Sequence, residues 1–431
     1  MDISNVPLST PLNDKKIINA WALFDWANSA FALVITVAIF PAYFTSVTAD
    51  VVSVFGVEMS NSSLFAYAIS GSYLLIALFS PLLSGIADSG GKKKFFLKFF
   101  TILGSIGCIS LFFYDTGSPV ALGVIGFMMG MIGFAGGLVF YNSYLPEIAT
   151  EDRYDSVSAK GFSYGYIGSV LLLVVNLLII QKPEWFGVAD KGTLAARIAF
   201  LMVGLWWIGF AIIPFRRLPP DPKDKPQKGL LNRGMQELQK VWKELRDQSN
   251  TKAFLISFFC YSAGVQTVLF LASIFAEKEL DFDAGKLIIV VLVLQLVAIV
   301  GAYLFAKISE RVGNITSIFI MLFIWVGICV LAYFVQNQAQ FFLVAASVGL
   351  VMGGIQSLSR STYSKLIPEE TEDTTSYFSF YDVVEKIAII LGTFSFGFIE
   401  QITGSMRISV LVLALFFIIS LLILTRVRVK S

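Results

Sequence analysis

Long apolar runs separated by short polar loops extend along the whole chain. A helix needs roughly 20 apolar residues to cross the hydrocarbon core of a bilayer. Twelve runs reach this length, so the pattern predicts twelve membrane-spanning helices. The runs lie at approximately 17–44, 63–87, 95–114, 119–144, 160–181, 195–215, 253–276, 284–306, 314–335, 339–362, 376–401 and 405–426.

One connection, 216–252, is much longer than the others. It starts with Arg216 and Arg217, passes through a proline-rich piece, and becomes amphipathic from Leu230 to Arg246. Apolar side chains recur there at helical spacing, which predicts a helix lying along the membrane surface. A regulatory helix is the alternative interpretation. We predict an N-terminal tail (1–16), two six-helix bundles (17–215 and 253–426) joined by this linker (216–252), and a C-terminal tail (427–431).

Composition supports a membrane protein. Hydrophobic residues make up 56% of the chain and charged residues only 14%, whereas a soluble domain carries about 25% charged residues. So much apolar surface does not fit inside a water-soluble core. The predicted fold class is an all-α polytopic membrane protein with twelve transmembrane helices in two pseudo-symmetric bundles.

The distribution of basic residues predicts the orientation. Placing the N-terminus inside puts most of the 32 lysines and arginines on the cytoplasmic side, as the positive-inside rule requires. Both termini and the linker are then cytoplasmic. We expect a monomer in the bilayer of the cell (inner) membrane.

Several classes of chemistry are excluded or disfavoured by residue content. Histidine is absent, so an imidazole metal site or proton relay is impossible, and proton coupling would have to use carboxylates. Cys108, Cys260 and Cys329 lie in separate apolar runs and are predicted to be buried thiols. We expect no metal, no cofactor, no nucleic-acid partner and no enzymatic activity, because no nucleophile–base set is visible.

The two halves carry related loop marks. Three pairs recur at one constant spacing: Asp88 with Glu310, Gly91 with Gly313, and Pro146-Glu147 with Pro368-Glu369. A shared internal register indicates a duplicated chain. Twelve helices in two repeats joined by a cytoplasmic linker are the plan of the major facilitator superfamily, whose halves rock about a site near the bilayer midplane.

The loop around Asp88, Gly91, Lys92 and Lys93 resembles the signature that this superfamily carries between its second and third helices. Three further stretches resemble hallmarks of one subfamily, the fungal autophagy-related vacuolar amino-acid effluxers and their bacterial relatives. These stretches are Trp21-Ala22-Leu23-Phe24-Asp25-Trp26-Ala27-Asn28-Ser29-Ala30, Tyr141-Asn142-Ser143-Tyr144-Leu145-Pro146-Glu147 and Gln356-Ser357-Leu358-Ser359-Arg360-Ser361. The resemblance implies a bacterial-type carrier. Characterised members of the family export amino acids from vacuoles.

Charged residues inside predicted spans are expensive and are therefore candidate functional residues. In helix 1, Asp25, Asn28 and Ser29 share one face. Such a carboxylate with an amide and a hydroxyl beside it could bind an ammonium group or exchange a proton. The alternative is a hydrogen-bonded cluster that only fixes helix 1 against its neighbours.

Helix 11 carries Asp382, Glu385 and Lys386. Counting from Ser376 at about 1.5 Å per residue places Lys386 roughly 15 Å deep, near the midplane. Asp382 and Lys386 are spaced for an ion pair, whereas Glu385 should point elsewhere. We predict that Glu385 is the titrating or ligand-contacting carboxylate. The alternative is an ion network that only holds helix 11 in register.

Polar residues of other spans are predicted to line the solute path. In helix 10, Arg360 with Gln356 one turn earlier could clamp a substrate carboxylate, or Arg360 could pair with an acid of the opposite half. Gln266 of helix 7 is a candidate lining residue, and Tyr141 and Asn142 of helix 4 are assigned to the cytoplasmic gate.

The symmetric loops supply the other predicted gate residues: Asp88, Gly91 and Glu310. By resemblance, Asp88 would brace the cytoplasmic end of helix 2 against the N-terminus of helix 11, where negative charge is favoured.

Together these features predict a secondary active transporter that moves a small polar solute, an amino acid by preference, by alternating access with proton coupling. A carrier of another metabolite, such as a sugar or short peptide, is the alternative within this class. A non-transporting receptor or scaffold is the alternative outside it.

Overall fold

The computed structural model describes residues 12–54, 56–188, 193–222, 229–282, 284–368 and 371–428. Parts of the two predicted tails, and Glu369 of the repeated Pro-Glu mark, lie outside the described residues.

The N-terminal half contains six spans with short connecting elements. Its elements are α1 (Lys15–Ala30), a π-helical segment (Phe31–Ile39), α2 (Phe40–Val47), strands β1 (Val51–Val54) and β2 (Val57–Ser60), α3 (Asn61–Gly90), α4 (Lys93–Leu111), α5 (Val120–Asn142), α6 (Leu145–Ile148), a 3₁₀ turn (Glu151–Arg153), α7 (Tyr154–Gln181), a second 3₁₀ turn (Pro183–Phe186) and α8 (Leu194–Arg217). The first span runs through α1, the π-helical segment and α2.

The described part of the linker forms one helix, and the C-terminal half follows directly. The elements are α9 (Leu230–Asp247), α10 (Ser249–Leu280), α11 (Ala284–Val312), α12 (Asn314–Phe334), α13 (Gln338–Leu366), α14 (Thr374–Thr403) and α15 (Met406–Leu424). The amphipathic stretch expected from Leu230 to Arg246 is therefore helical, and α9 ends one residue beyond it.

Among the described residues, 11 helical segments are long and apolar enough to cross a membrane. The remaining span is α14, which has 30 residues but carries the charges of Asp382, Glu385 and Lys386. The predicted twelve-span fold is confirmed.

Each half has its own apolar core. Trp207 lies in a core of the N-terminal half, and Trp325 lies in the core of the C-terminal half. Glycines bring backbones into direct contact inside the bundles, since a Cβ at Gly133 of α5 would lie 2.4 Å from the Cα of Gly104 of α4. Small residues at helix contacts are a common way to pack spans closely in a bilayer.

The antiparallel hairpin β1–β2 was not expected from the apolar runs. Val51, Val52, Val54 and Val57 favour extended backbone, and Gly56 takes a positive φ of 81° at the turn. The hairpin marks one end of the molecule, here called the hairpin side. The opposite end, where α9 lies against the end of α3, is called the linker side.

Candidate functional site

The two halves are joined at the linker side by Asp88. Its Oδ2 accepts from the backbone N–H of Ser376 at 2.6 Å, and its Oδ1 from that of Thr375 at 3.3 Å. Both donors lie in the first turn of α14, whose N–H groups have no partner within the helix. The carboxylate is buried, at 4% exposure. The expected contact between the second helix and the N-terminus of the eleventh is therefore present.

Lys93 strengthens the same contact. Its Nζ donates to the Thr374 hydroxyl at 2.7 Å and forms an ion pair with Glu147. The Thr374 hydroxyl in turn donates to Glu147 at 3.2 Å. The sequence placed Lys93 in the loop signature but did not select it as a gate residue, because three consecutive lysines give no sign of which one turns inward. These contacts show that this buried lysine ties α4 and α6 to α14.

Gly91 and Gly313 both take positive φ values, 59° and 82°. Glycine reaches this region without steric cost, so both residues act as turns that let one helix follow another. Glu310 does not take the place of Asp88 in the second half, because its side chain is exposed. The prediction of Glu310 as a gate residue is corrected: in this loop other residues, Ser309 and Asn314, make the contacts with the opposite half.

Asp155, in the first turn of α7, receives those contacts. The Ser309 hydroxyl donates to its Oδ2 at 2.8 Å and the Asn314 amide to its Oδ1 at 2.7 Å. Lys365 Nζ pairs with the same carboxylate at 3.0 Å and donates to Asn314 Oδ1 at 2.8 Å. The predicted span began at residue 160, whereas α7 begins at Tyr154. Asp155 was therefore missed as a loop residue.

Arg360 lies at the centre of the cross-half contacts. Its Nε donates to the Ser158 hydroxyl at 2.9 Å and its Nη2 to the Ser158 carbonyl at 2.8 Å. Its Nη1 donates to Asn142 Oδ1 at 3.2 Å and lies 3.6 Å from Asp25 Oδ2. Of the two interpretations given for Arg360, pairing with an acid of the opposite half matches this geometry.

Aromatic rings enclose the guanidinium. Its carbon lies 4.2 Å from the ring centre of Phe162 and 4.7 Å from that of Trp21. Trp21 in turn stacks on Tyr141 with ring centres 4.5 Å apart. Cation–π contacts of this kind are stronger where water is excluded. The hallmark residues of helices 1, 4 and 10 thus meet in one buried cluster.

Asp25 completes that cluster. The Ser29 hydroxyl donates to its Oδ1 at 3.0 Å and the Tyr141 hydroxyl to its Oδ2 at 3.2 Å. Asn28 is fully buried, and within the described part of the chain neither of its amide atoms has a hydrogen-bond partner. Asn28 is therefore a buried polar group that does not join Asp25 in one hydrogen-bonded group, as its spacing had suggested.

Gln356 lies one turn from Arg360 and accepts from the Tyr166 hydroxyl at 2.6 Å. This bond links α13 of one half to α7 of the other. Tyr166 was not among the predicted path residues, since tyrosines are also frequent at membrane interfaces.

The charges of α14 form a second buried layer. Lys386 Nζ lies 2.9 Å from Asp382 Oδ1 and 3.6 Å from Glu385 Oε2. Gln266 Nε2 of α10 donates to Glu385 Oε1 at 3.1 Å. Lys386 also lies over the ring of Tyr73 of α3, 5.6 Å from its centre, so this layer faces the opposite half.

The expectation that Glu385 points away from the ion pair is corrected. The long lysine side chain sits between both carboxylates, so the three groups form one triad with a net charge of −1. The Glu385 side chain remains the most accessible of the three, at 24% exposure against 5% for the other two. It is the member best placed to meet water or a solute.

The site therefore consists of contacts between the halves at the linker side and two buried ionic layers between them. Among the residues that the structure describes, no group of three or more metal-ligating acids or thiols is found. The three cysteines are buried and unpaired with each other. On the face where the halves meet, a negative charge from one half, Asp25, lies beside a positive charge from the other, Arg360.

Two six-helix halves with ionic side chains on their shared face define a membrane transporter of the major facilitator superfamily. FucP in its outward conformation shares the fold with a TM-score of 0.71, over 95% of this chain and 99% of its own, at 13% identity. The human organic anion transporter MFSD10 does so with a TM-score of 0.72, over 96% and 100%, at 12% identity. Within the superfamily, the chain belongs to the family described as vacuole effluxer Atg22 like, whose model matches residues 13–431.

Individual relatives support this assignment over most of the chain. An uncharacterized MFS-type transporter, YxiO of Bacillus subtilis, is 30% identical over 407 residues, covering 94% of this chain and 93% of the relative. Autophagy-related protein 22 of Kluyveromyces lactis is 26% identical over 402 residues, covering 84% and 79%. The predicted family is confirmed, and family and fold are those of transporters rather than enzymes.

Proposed function

We propose that this transporter moves an amino acid by alternating access and couples the movement to protons. The linker side is assigned to the cytoplasm, in accordance with the distribution of lysines and arginines. The resemblance to vacuolar amino-acid effluxers supports the choice of solute, and the family described as vacuole effluxers supports transport out of a compartment.

One observation carries the proposal: oppositely charged side chains from opposite halves meet in a buried layer. Asp25 of α1 and Arg360 of α13 are only 6% and 3% exposed in their side chains. A buried ion pair is costly to form and is weak as a stabilising device. An amino-acid zwitterion carries the complementary charges, so it can take the place of each partner when the pair separates.

The closed linker side supports alternating access. Asp88 and Lys93 hold α14 against the N-terminal half, and Asp155 holds the ends of α11 and α13. Opening toward the linker side must break both sets of contacts. Because both sets are polar, water can replace the lost hydrogen bonds, which keeps the closed and open states close in free energy.

Glu385 supports proton coupling. It is the most accessible carboxylate of the triad, and the chain has no histidine to relay protons. When Glu385 is ionised the triad carries an excess negative charge, and protonation makes it neutral. A group that changes the net charge of a buried layer can couple proton binding to the opening of one side.

The experiment is transport into proteoliposomes with a controlled pH gradient. We expect wild-type protein to accumulate a radiolabelled amino acid against its concentration gradient and Glu385→Gln to lose accumulation while retaining one-for-one exchange. Glu310→Gln, which neutralises an exposed glutamate, is the control. Unchanged accumulation in Glu385→Gln would remove this residue from the mechanism. A thermal-shift screen of purified protein against a metabolite library identifies the solute independently, since a ligand of the folded state raises its apparent stability.

A further inference from the structure

The linker helix α9 is docked on the N-terminal half by direct backbone contact. Gly234 is buried, and a Cβ at Gly85 of α3 would lie 2.3 Å from the Gly234 carbonyl oxygen. Further along the helix, Val241 is fully buried and Leu245 is 4% exposed. One face of α9 is therefore part of the protein interior.

The same helix also holds the C-terminal half. Lys240 Nζ pairs with Asp373 Oδ2 at 2.6 Å, next to the start of α14. The Tyr377 hydroxyl donates to Glu244 Oε2 at 2.7 Å, and Gln248 Nε2 donates to the Tyr377 hydroxyl at 3.3 Å. Since α9 contacts α3 of one half and α14 of the other, separating these two helices at the linker side must break one set of contacts.

A second face of α9 is apolar and exposed. Leu231, Met235 and Trp242 are 60%, 44% and 59% exposed. These positions are four and seven residues apart, so they lie on one stripe of the helix, here called the outer stripe. An apolar stripe beside a docked face needs a partner that takes up hydrophobic surface.

The outer stripe continues the lipid-facing surface of the bundle. The Trp242 ring lies 5.6 Å from the ring of Phe380 at the start of α14. Further along α14, Ile387 and Phe394 are 49% and 67% exposed on a transmembrane helix. The partner of the outer stripe is therefore the bilayer that already covers α14.

Basic side chains lie beside the outer stripe. Lys243 and Arg246 of α9 are exposed, as are Arg216 and Arg217 at the end of α8. An apolar helix face flanked by basic residues is the arrangement that binds a membrane surface containing anionic lipid.

We propose that α9 is a lipid-held latch. Its outer stripe inserts into the adjoining leaflet, Lys243 and Arg246 bind anionic phospholipid headgroups, and the anchored helix holds α3 and α14 together so that the linker side stays closed. This inference does not depend on the identity of the solute or on proton coupling, because it concerns only the equilibrium between the closed and open linker side.

Insertion is tested by spin labels attached through Met235→Cys and, as the matched control, Gln236→Cys, which is exposed and lies about 100° around the same helix from Met235, away from the outer stripe. Collision with oxygen reports a lipid environment, and collision with a water-soluble nickel chelate reports water. In nanodiscs we expect the label at 235 to be accessible to oxygen and shielded from nickel, and the label at 236 to show the reverse. Equal water exposure at both positions would overturn the proposal.

The latch is tested by the rate at which a thiol reagent labels Ala159→Cys, since Ala159 is fully buried against Ala302 and Ala306 of the other half. In nanodiscs that contain phosphatidylglycerol, labelling should be slower than in phosphatidylcholine alone, by about fivefold for each basic residue engaged. Lys243→Gln should reduce the ratio of labelling rates between the two lipid compositions by about fivefold. Lys182→Gln, which replaces an exposed lysine on the hairpin side, should leave this ratio unchanged. Equal rates for wild-type protein in both lipids, or equal effects of the two substitutions, would overturn the latch.

Discussion

Asp88→Asn tests the gate most simply, because it removes one charge and keeps the size of the side chain. In the closed state the carboxylate accepts from the backbone N–H groups of Thr375 and Ser376. Asparagine can still accept through its carbonyl oxygen, but it loses the attraction between a negative charge and the positive end of α14. The substitution should therefore move the population toward the state that is open at the linker side.

The magnitude follows from the geometry. A charge at a helix terminus contributes about 0.3–1 kcal/mol at an exposed site and up to about 2 kcal/mol in a favourable, partly buried one. Asp88 is 4% exposed, so screening by water is weak, although the smaller desolvation cost of asparagine offsets part of the loss. A net loss of about 1–2 kcal/mol changes the ratio of open to closed molecules by about 5- to 30-fold.

The assay is the labelling rate of Ala159→Cys, which rises in proportion to the open fraction when opening is fast and rare. Cys108, Cys260 and Cys329 are buried and are replaced by serine to remove background labelling. We expect Asp88→Asn to label about 5- to 30-fold faster than the parent. Glu310→Gln, which removes an acid at the pseudo-symmetric but exposed position, should label at the parental rate. Equal rates for Asp88→Asn and its parent would refute the role given to Asp88.

Two further predictions concern other charged contacts. Lys365→Gln leaves the Asp155 carboxylate buried without its cation, which should destabilise the closed state by about 3 kcal/mol. Hydrogen exchange in the first turn of α7 should become faster in this variant and stay at the wild-type rate in Lys365→Arg. Equal exchange in both variants would contradict the role of this pair. At the hairpin side, the Thr193 hydroxyl, then the backbone N–H of Thr116 and then Arg197 lower the pKa of Asp115 from its ordinary value of 3.8. A carboxylate whose pKa is lowered by folding stabilises the folded state at pH values above its ordinary pKa. This stabilisation is lost as the pH falls through the lowered pKa. Asp115→Asn should thus have a lower melting temperature than the wild type at pH 7. The difference in melting temperature should close only below about pH 3.8. A difference that does not change with pH would contradict this assignment.

The fold could be predicted from the sequence because bilayer-crossing helices are recognised by their length and apolar content. The same signal fails at polar helix ends. The predicted fifth span missed the first turn of α7, where Asp155 lies, because that turn contains no long apolar run. The π-helical segment and the β1–β2 hairpin were also missed, since they are short and depend on packing against the rest of the half.

The candidate site could be predicted only in part. Duplication paired the Asp88 and Glu310 loops, and both carry a glycine with positive φ. It could not indicate that the second loop uses neighbouring residues for its contacts. Likewise, the sequence left Arg360 with two interpretations, because which acid a long side chain reaches depends on how the two halves meet.

The central claim is that the ionic layers between the halves form a path for a charged solute. Exchange of a radiolabelled amino-acid mixture across proteoliposomes, without any imposed ion gradient, tests it most directly. We predict saturable exchange that Asp25→Asn reduces by at least tenfold, because removal of a group that contacts the solute costs about 1.4 kcal/mol or more. Exchange that is undiminished in Asp25→Asn, or the absence of exchange by correctly folded wild-type protein, would contradict the claim.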